Sequence, residues 1–419
     1  MMLRKILFVA AALVLSYFVG SRFDFVPILK TATALAQGQR SLSSRDSKSG
    51  SRPAADASIG GGDIAPIRAV ADPYPVFDGI ALDPANNLVA ISDENHHSLL
   101  VYDRASGGKS DAVTEPRRRI MGAATEMGFV AGVTMDPEHH EVYTVNNDSG
   151  DQVTVYSYQS DGNAVPARRL FVPHQSWGLS LALGRGELAV TTQELNAVEI
   201  YSRTAKDLTK PSRQIVGMDT GLEDPHGVVM DERHNEIVVS NHGNWTQFRP
   251  YTNYDPLNLD QKYVPGRFDP ASITVYPITA NGNVKPERTI QGAHTALNWA
   301  MGIDVDAQHD EIAVANYGDD SVLVFKRDDN GDAAPIRRIY GPNTHIVGPV
   351  GVAVDTKNNE LWVANYGDHT ALVFSRTDSG NVAPKRIVRN APAEAATCGF
   401  TNASAAAYDP KRGEILVPN

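Results

Sequence analysis

Asp78, Trp177 and His226 each stand immediately before a residue that opens a short apolar run, a place held elsewhere in the chain by Ala131, Met301, Val350 and Ala403. Asp224 and Trp299 lie two residues further out on their own runs, and His242 follows the Asn241 that closes a second run. Asp78, Asp224 and His226 are of the types that hold metal ions or move protons, and the two indoles supply apolar walls. The competing explanation is turn chemistry, because isolated His and Asp in loops ordinarily bond their own backbone. A second concentration lies in residues 243–269, where Trp245, Phe248, Tyr251, Tyr254, Tyr263 and Phe268 are interleaved with Arg249, Lys262 and Arg267. Aromatics with Arg are the residue types that anchor partner surfaces. Packing as a lid over a neighbouring opening is the plainer alternative.

These positions take their meaning from a repeat. Residues 335–386 nearly repeat residues 286–337, and both carry Ala-Asn-Tyr-Gly-Asp, at 315–319 and 364–368. Each unit of roughly 50 residues reads as an apolar run opened by Gly and closed by Asp, a turn, a second run ending near Asn, a hairpin loop, a third run and a Pro-x-Arg run. Runs of this length, rich in Val, Ile, Tyr and Thr and separated by Asp, Asn, Gly and Pro, predict strands throughout and almost no helix. Opening runs occur at 79–83, 132–136, 178–183, 227–231, 302–306 and 351–355, with a degenerate one at 404–409. The Pro-x-Arg marker recurs at Arg68, Arg118, Arg168, Arg213, Arg288, Arg337 and Arg386. Both tallies predict an all-β propeller of seven four-stranded antiparallel blades, in which each sheet covers the apolar face of the next. Arg68 precedes the first opening run, so the N-terminal strand is expected to complete the C-terminal blade. Six blades with an additional hairpin is the alternative count.

Pro-Val-Gly-Val-Ala-Val-Asp at 349–355, Leu-Trp-Val-Ala-Asn at 361–365 and Ala-Leu-Val-Phe at 371–374 make residues 63–419 resemble the NHL and YVTN type of bacterial propeller. The resemblance implies the architecture together with a range of activities: ligand-binding and protein-binding modules, lactonases and an amidating lyase. It selects none of them.

In this strand order the loops before each first strand and those between second and third strands open on one face, where function is expected. The opposite loops, such as 306–310 and 231–235, read as turns. Asp93, Asn146, Thr192, Asn241, Asn316, Asn365 and Asn419 align at the ends of second runs. Repetition favours a structural role, with an oxygen-lined site for a divalent cation such as calcium as the alternative. One Arg per unit likewise means architecture. No Gly-x-Ser-x-Gly elbow, His-Glu-x-x-His helix, phosphate loop or paired-Cys motif is present, which removes the enzyme classes those motifs announce.

Composition sets the remaining bounds. The net charge of −11 argues against a nucleic-acid partner, since phosphate binding needs a basic face. Arg4 and Lys5 precede an apolar run at 6–19, shorter than the roughly 20 residues a membrane span needs, so residues 1–36 are expected to be a signal peptide or an N-terminal anchor. Residues 37–62, rich in Ser, Gly, Arg and Ala, read as a flexible linker. The chain has one Cys and therefore no intrachain disulfide. The expectation is an exported monomer, periplasmic, extracellular or tethered on the outer side of a membrane, that binds a protein, peptide or glycan without catalysis. Contact with a membrane is expected through the anchor alone. Two alternatives remain: a metal-dependent, lactonase-like hydrolase or lyase using Asp78, Asp224 and His226, and a structural protein of a surface layer.

Overall fold

The computed structural model describes residues 72–109, 111–246, 267–393, 395, 407–412 and 414–416. Six four-stranded antiparallel sheets follow one another along the chain, each made of consecutive strands apart from one hairpin inserted in the fourth. Blade 1 comprises Phe77–Asp83, Leu88–Asp93, Ser98–Asp103 and Arg118–Ile120, and blade 2 Val130–Asp136, Glu141–Asn146, Gln152–Ser157 and Arg168–Phe171. Blade 3 comprises Ser176–Ala182, Glu187–Thr192, Ala197–Ser202 and Arg213–Val216, and blade 4 Pro225–Asp231, Glu236–Asn241, Ser272–Pro277 and Arg288–Ile290. Blade 5 is Ala300–Asp306, Glu311–Asn316, Ser321–Lys326 and Arg337–Tyr340, and blade 6 Pro349–Asp355, Glu360–Asn365, Thr370–Ser375 and Arg386–Arg389. No helix among the described residues is long and apolar enough to cross a membrane.

The second strands are buried from end to end or nearly so, because in a stack of blades both faces of a middle strand meet a neighbour. The apolar side chains gather into clusters between successive blades, and one of them joins the last blade to the first: Phe77, Ile91 and Tyr102 pack with Trp362, Val373 and Val388. First strands approach most closely. A Cβ placed on Gly79, Gly132, Gly178, Gly227, Gly302 or Gly351 would stand less than 3.0 Å from backbone of the next blade, and for Gly351 that backbone is Asp78 of blade 1. Glycine at the opening position is thus a condition of ring closure.

Six blades, rather than seven, form the ring. Its closing contacts join blade 6 directly to blade 1, through a backbone bridge between Gly108 and Ile387 and an ion pair from Arg104 to Glu360 at 2.8 Å. No strand is shared between the two ends, so the expected closure by an N-terminal strand does not occur among the described residues, and Arg68 lies outside them. The degenerate seventh opening run instead belongs to a separate two-stranded sheet, Ala407–Asp409 paired with Glu414–Leu416. Periodicity counts strand-forming units, whereas the number of blades is decided by where successive sheets meet. The predicted signal peptide or anchor and the linker also lie outside the described residues.

The repeated Arg serves the architecture. Arg337 makes a two-pronged contact with Glu311 at 2.9 and 2.5 Å, and Arg376 of the next blade reaches the same carboxylate at 2.6 Å. Glu141, Glu236 and Glu360 are bridged in the same way, by Arg168 and Arg203, Arg288 and Arg327, and Arg386 and Arg104. Blade 1 lacks a Glu at this position, and Tyr158 of blade 2 reaches across to Asp83 instead.

Candidate functional site at the channel mouth

In blades 1, 2, 4, 5 and 6 the pairing of first and second strands slips at the opening glycine, for example between Pro225 and Val228 and between Ala300 and Ile303. Blade 3 slips at the same place. A bulge bends the strand and redirects the side chain before the glycine, which is how Asp78 and Trp177 come to line a central cavity of about 250 Å³. A second constraint recurs in all six blades. The residue following each second strand, Glu94, Asn147, Gln193, His242, Tyr317 or Tyr366, donates its backbone N–H to the carbonyl of the residue two before the bulged one. One polar or aromatic side chain per blade is thereby held at the mouth, and in blades 1, 3 and 4 the bulged residue, Asp78, Trp177 or His226, adds a second.

Five of the sequence-derived candidates converge. The rings of Trp177, His226, His242 and Trp299 follow one another at centroid separations of 4.9, 4.7 and 4.8 Å. Tyr317 extends this arc by stacking on Trp299 at 5.9 Å, and Phe129 flanks Trp177 at 6.3 Å. Asp224 sits beneath the two imidazoles, its Oδ2 3.2 Å from His242 Nδ1 and its Oδ1 3.7 Å from His226 Nδ1. His226 Nδ1 also lies 3.0 Å from the Asp224 carbonyl, and its Nε2 lies 2.6 Å from Gln193 Nε2. Burial pushes His226 down to about 4, leaving a neutral imidazole at neutral pH. Burial opposes ionisation of Asp224, but the His242 hydrogen bond and the two imidazoles outweigh it and hold the carboxyl below its usual value.

Asp78 is not part of this group. It belongs to blade 1, three blades away, where its carboxyl meets that of Glu94. Both are buried, and no amide, alcohol or basic side chain donates to either Asp78 oxygen, so the Glu94 carboxyl is its partner. Burial raises Asp78 to about 7, although the hydrogen bond with Glu94 acts in the other direction. Burial and the Asp78 charge push Glu94 well above the carboxylate range, against a hydrogen bond from Tyr366. Two carboxyls held together away from water cannot both ionise cheaply, so the pair retains a proton.

The aromatic insertion is described only at its base, where Asn244–Thr246 pairs with Arg267–Asp269. The side chain of Trp245 and all of Phe248, Tyr251 and Tyr254 lie outside the described residues. Asp93, Asn146, Asn241, Asn316 and Asn365 are buried and bond backbone or hydroxyl groups of their own blades. That is the structural role repetition suggested.

Glu94, Gln193, Tyr317 and Tyr366 escaped the sequence reading. The signal was present: His242 was singled out because it follows a second strand, and the same offset in the other units leads to these four. No family model matches the chain, and no curated protein matches it.

Proposed function

We propose that this six-bladed propeller is an exported binding module of the broad NHL and YVTN type whose channel mouth takes a glycan or glycopeptide, a ligand with flat apolar faces and polar edges. The observation that carries this reading is Trp299. It is 51% exposed and its backbone sits at φ +54°, a left-handed conformation that costs a bulky residue about 1–3 kcal/mol. Blade 6 has Gly348 at the equivalent position, at φ +56°, where no such cost arises. Folding alone would favour glycine at residue 299, and the indole instead offers an open face beside His242. Stacked aromatic walls with a few convergent polar groups are the ordinary make-up of a ligand site.

Titrating the protein with soluble β-linked glucose oligosaccharides and muropeptides, read by tryptophan fluorescence, tests this. A saturable change is expected for the wild type, and Trp299→Gly should weaken binding at least tenfold without lowering Tm. Equal affinity in the variant, or no response to any member of the panel, overturns the proposal. A metal-dependent hydrolase or lyase is the second reading. It is favoured by the Asp78 and Glu94 pair, a proton-holding group whose Asp78 lines the central cavity, and lactone hydrolysis would distinguish it.

A further inference from the structure

Asp224, His226 and His242 each offer a donor atom, and these atoms all lie within 4.8 Å of one another. We propose that they bind one divalent ion of the zinc class, with an open coordination position facing the channel mouth.

The spacing is close to what the ion needs, with a small inward turn of the side chains. Bonds of about 2.0–2.2 Å in a tetrahedron separate neighbouring donors by about 3.3 Å; Asp224 Oδ2 stands 3.2 Å from His242 Nδ1, and Oδ1 of the same carboxylate stands 3.7 Å from His226 Nδ1. The set also arises from strand pairing. Pro225 and Asn241 are paired in register, so Asp224 and His242 sit opposite each other just beyond that pair, joined by a backbone hydrogen bond of 3.0 Å. His226 follows on the bulge. All three come from one blade and need no movement between blades.

An outer layer of polar groups orients the donors, as metal sites require. The Asp224 N–H donates to Asn196 Oδ1 at 2.7 Å, and Asn244 at the base of the insertion bonds the Asp224 carboxylate. Gln193 holds His226 Nε2. With its amide turned end for end, Gln193 Oε1 accepts an Nε2–H, and His226 Nδ1 then exchanges its 3.0 Å contact with the Asp224 carbonyl for the metal. Two imidazoles with one carboxylate select a borderline ion over calcium, which prefers an all-oxygen shell. Three protein ligands leave a fourth position for water or an anionic ligand group. This site stands whichever ligand the aromatic arc takes.

The test uses the full chain, freed of metal by a chelator and titrated calorimetrically with ZnCl2, with CaCl2 as comparison. One equivalent of zinc should bind, calcium should not displace it, and Asp224→Asn and His242→Gln should each weaken it at least 100-fold. His234→Ala, which alters a turn on the opposite face, should leave it unchanged. Cobalt provides a readout independent of any variant's folding: on wild-type protein it should give the visible bands of a tetrahedral site and quench Trp177 and Trp299, the indoles next to the two imidazoles. Absence of stoichiometric zinc binding by the wild type, or undiminished binding by folded Asp224→Asn and His242→Gln, overturns the proposal.

Discussion

Asp78 and Glu94 give the molecule a pH dependence that one substitution isolates. Asp78 rises from 3.8 to about 7 on folding, so between those values the native state holds a proton that the unfolded state has released. Stability therefore falls as pH rises through that window and levels off above it. The groups facing Asp78 and Glu94 are Tyr366 and Asp93, and neither supplies a compensating positive charge. Asp78→Asn should flatten the slope and raise Tm by a few degrees at pH 8, measured by thermal melts at pH 5 and pH 8; an unchanged slope would assign the dependence elsewhere. At this scale the sequence was informative about residue types and only partly about grouping. Trp177, Asp224, His226, His242 and Trp299 meet, because offsets from a repeated glycine are preserved in space. Asp78 shares the offset of His226 and still lies far from it, because its blade occupies the opposite side of the ring.

Strands are specified here mainly by what they must avoid. Every first strand carries a glycine whose missing Cβ lets the next blade come close, and the bulge beside it aims a side chain into the mouth. Gly132→Ala should cost about 1–3 kcal/mol, since the added methyl would meet the Trp177 carbonyl. Because Trp177 carries the aromatic arc, the same variant should also alter its fluorescence maximum, and denaturant melts with emission spectra check both. Four strands per unit and the structural use of Pro-x-Arg were readable from period and composition. Which carboxylate each Arg would meet was not, because Glu311 and Arg376 come from different blades and are brought together only when the blades stack.

Closure of the ring rests on blade 6 meeting blade 1, assisted by a short segment before the first strand. His369 Nδ1 lies 2.7 Å from the Pro75 carbonyl, and its ring meets Tyr74 edge-on. A chain of residues 70–419 should therefore keep its Tm within a few degrees of the full chain, whereas His369→Ala in it should lose about 1 kcal/mol; a collapse of the shortened chain in calorimetry would show that closure needs the residues before Val70. Seven markers of each kind suggested seven blades, and the folded ring contains six. A repeated pattern of apolar and turn residues dictates the local conformation of each strand and hence the all-β propeller, since those preferences act within a few residues. The number of sheets that close, the partner across each interface and the side of the channel on which a carboxyl or imidazole lies are set by packing between distant segments. Those contacts exist only after the blades assemble, and no local pattern encodes the angle at which one sheet turns to meet the next.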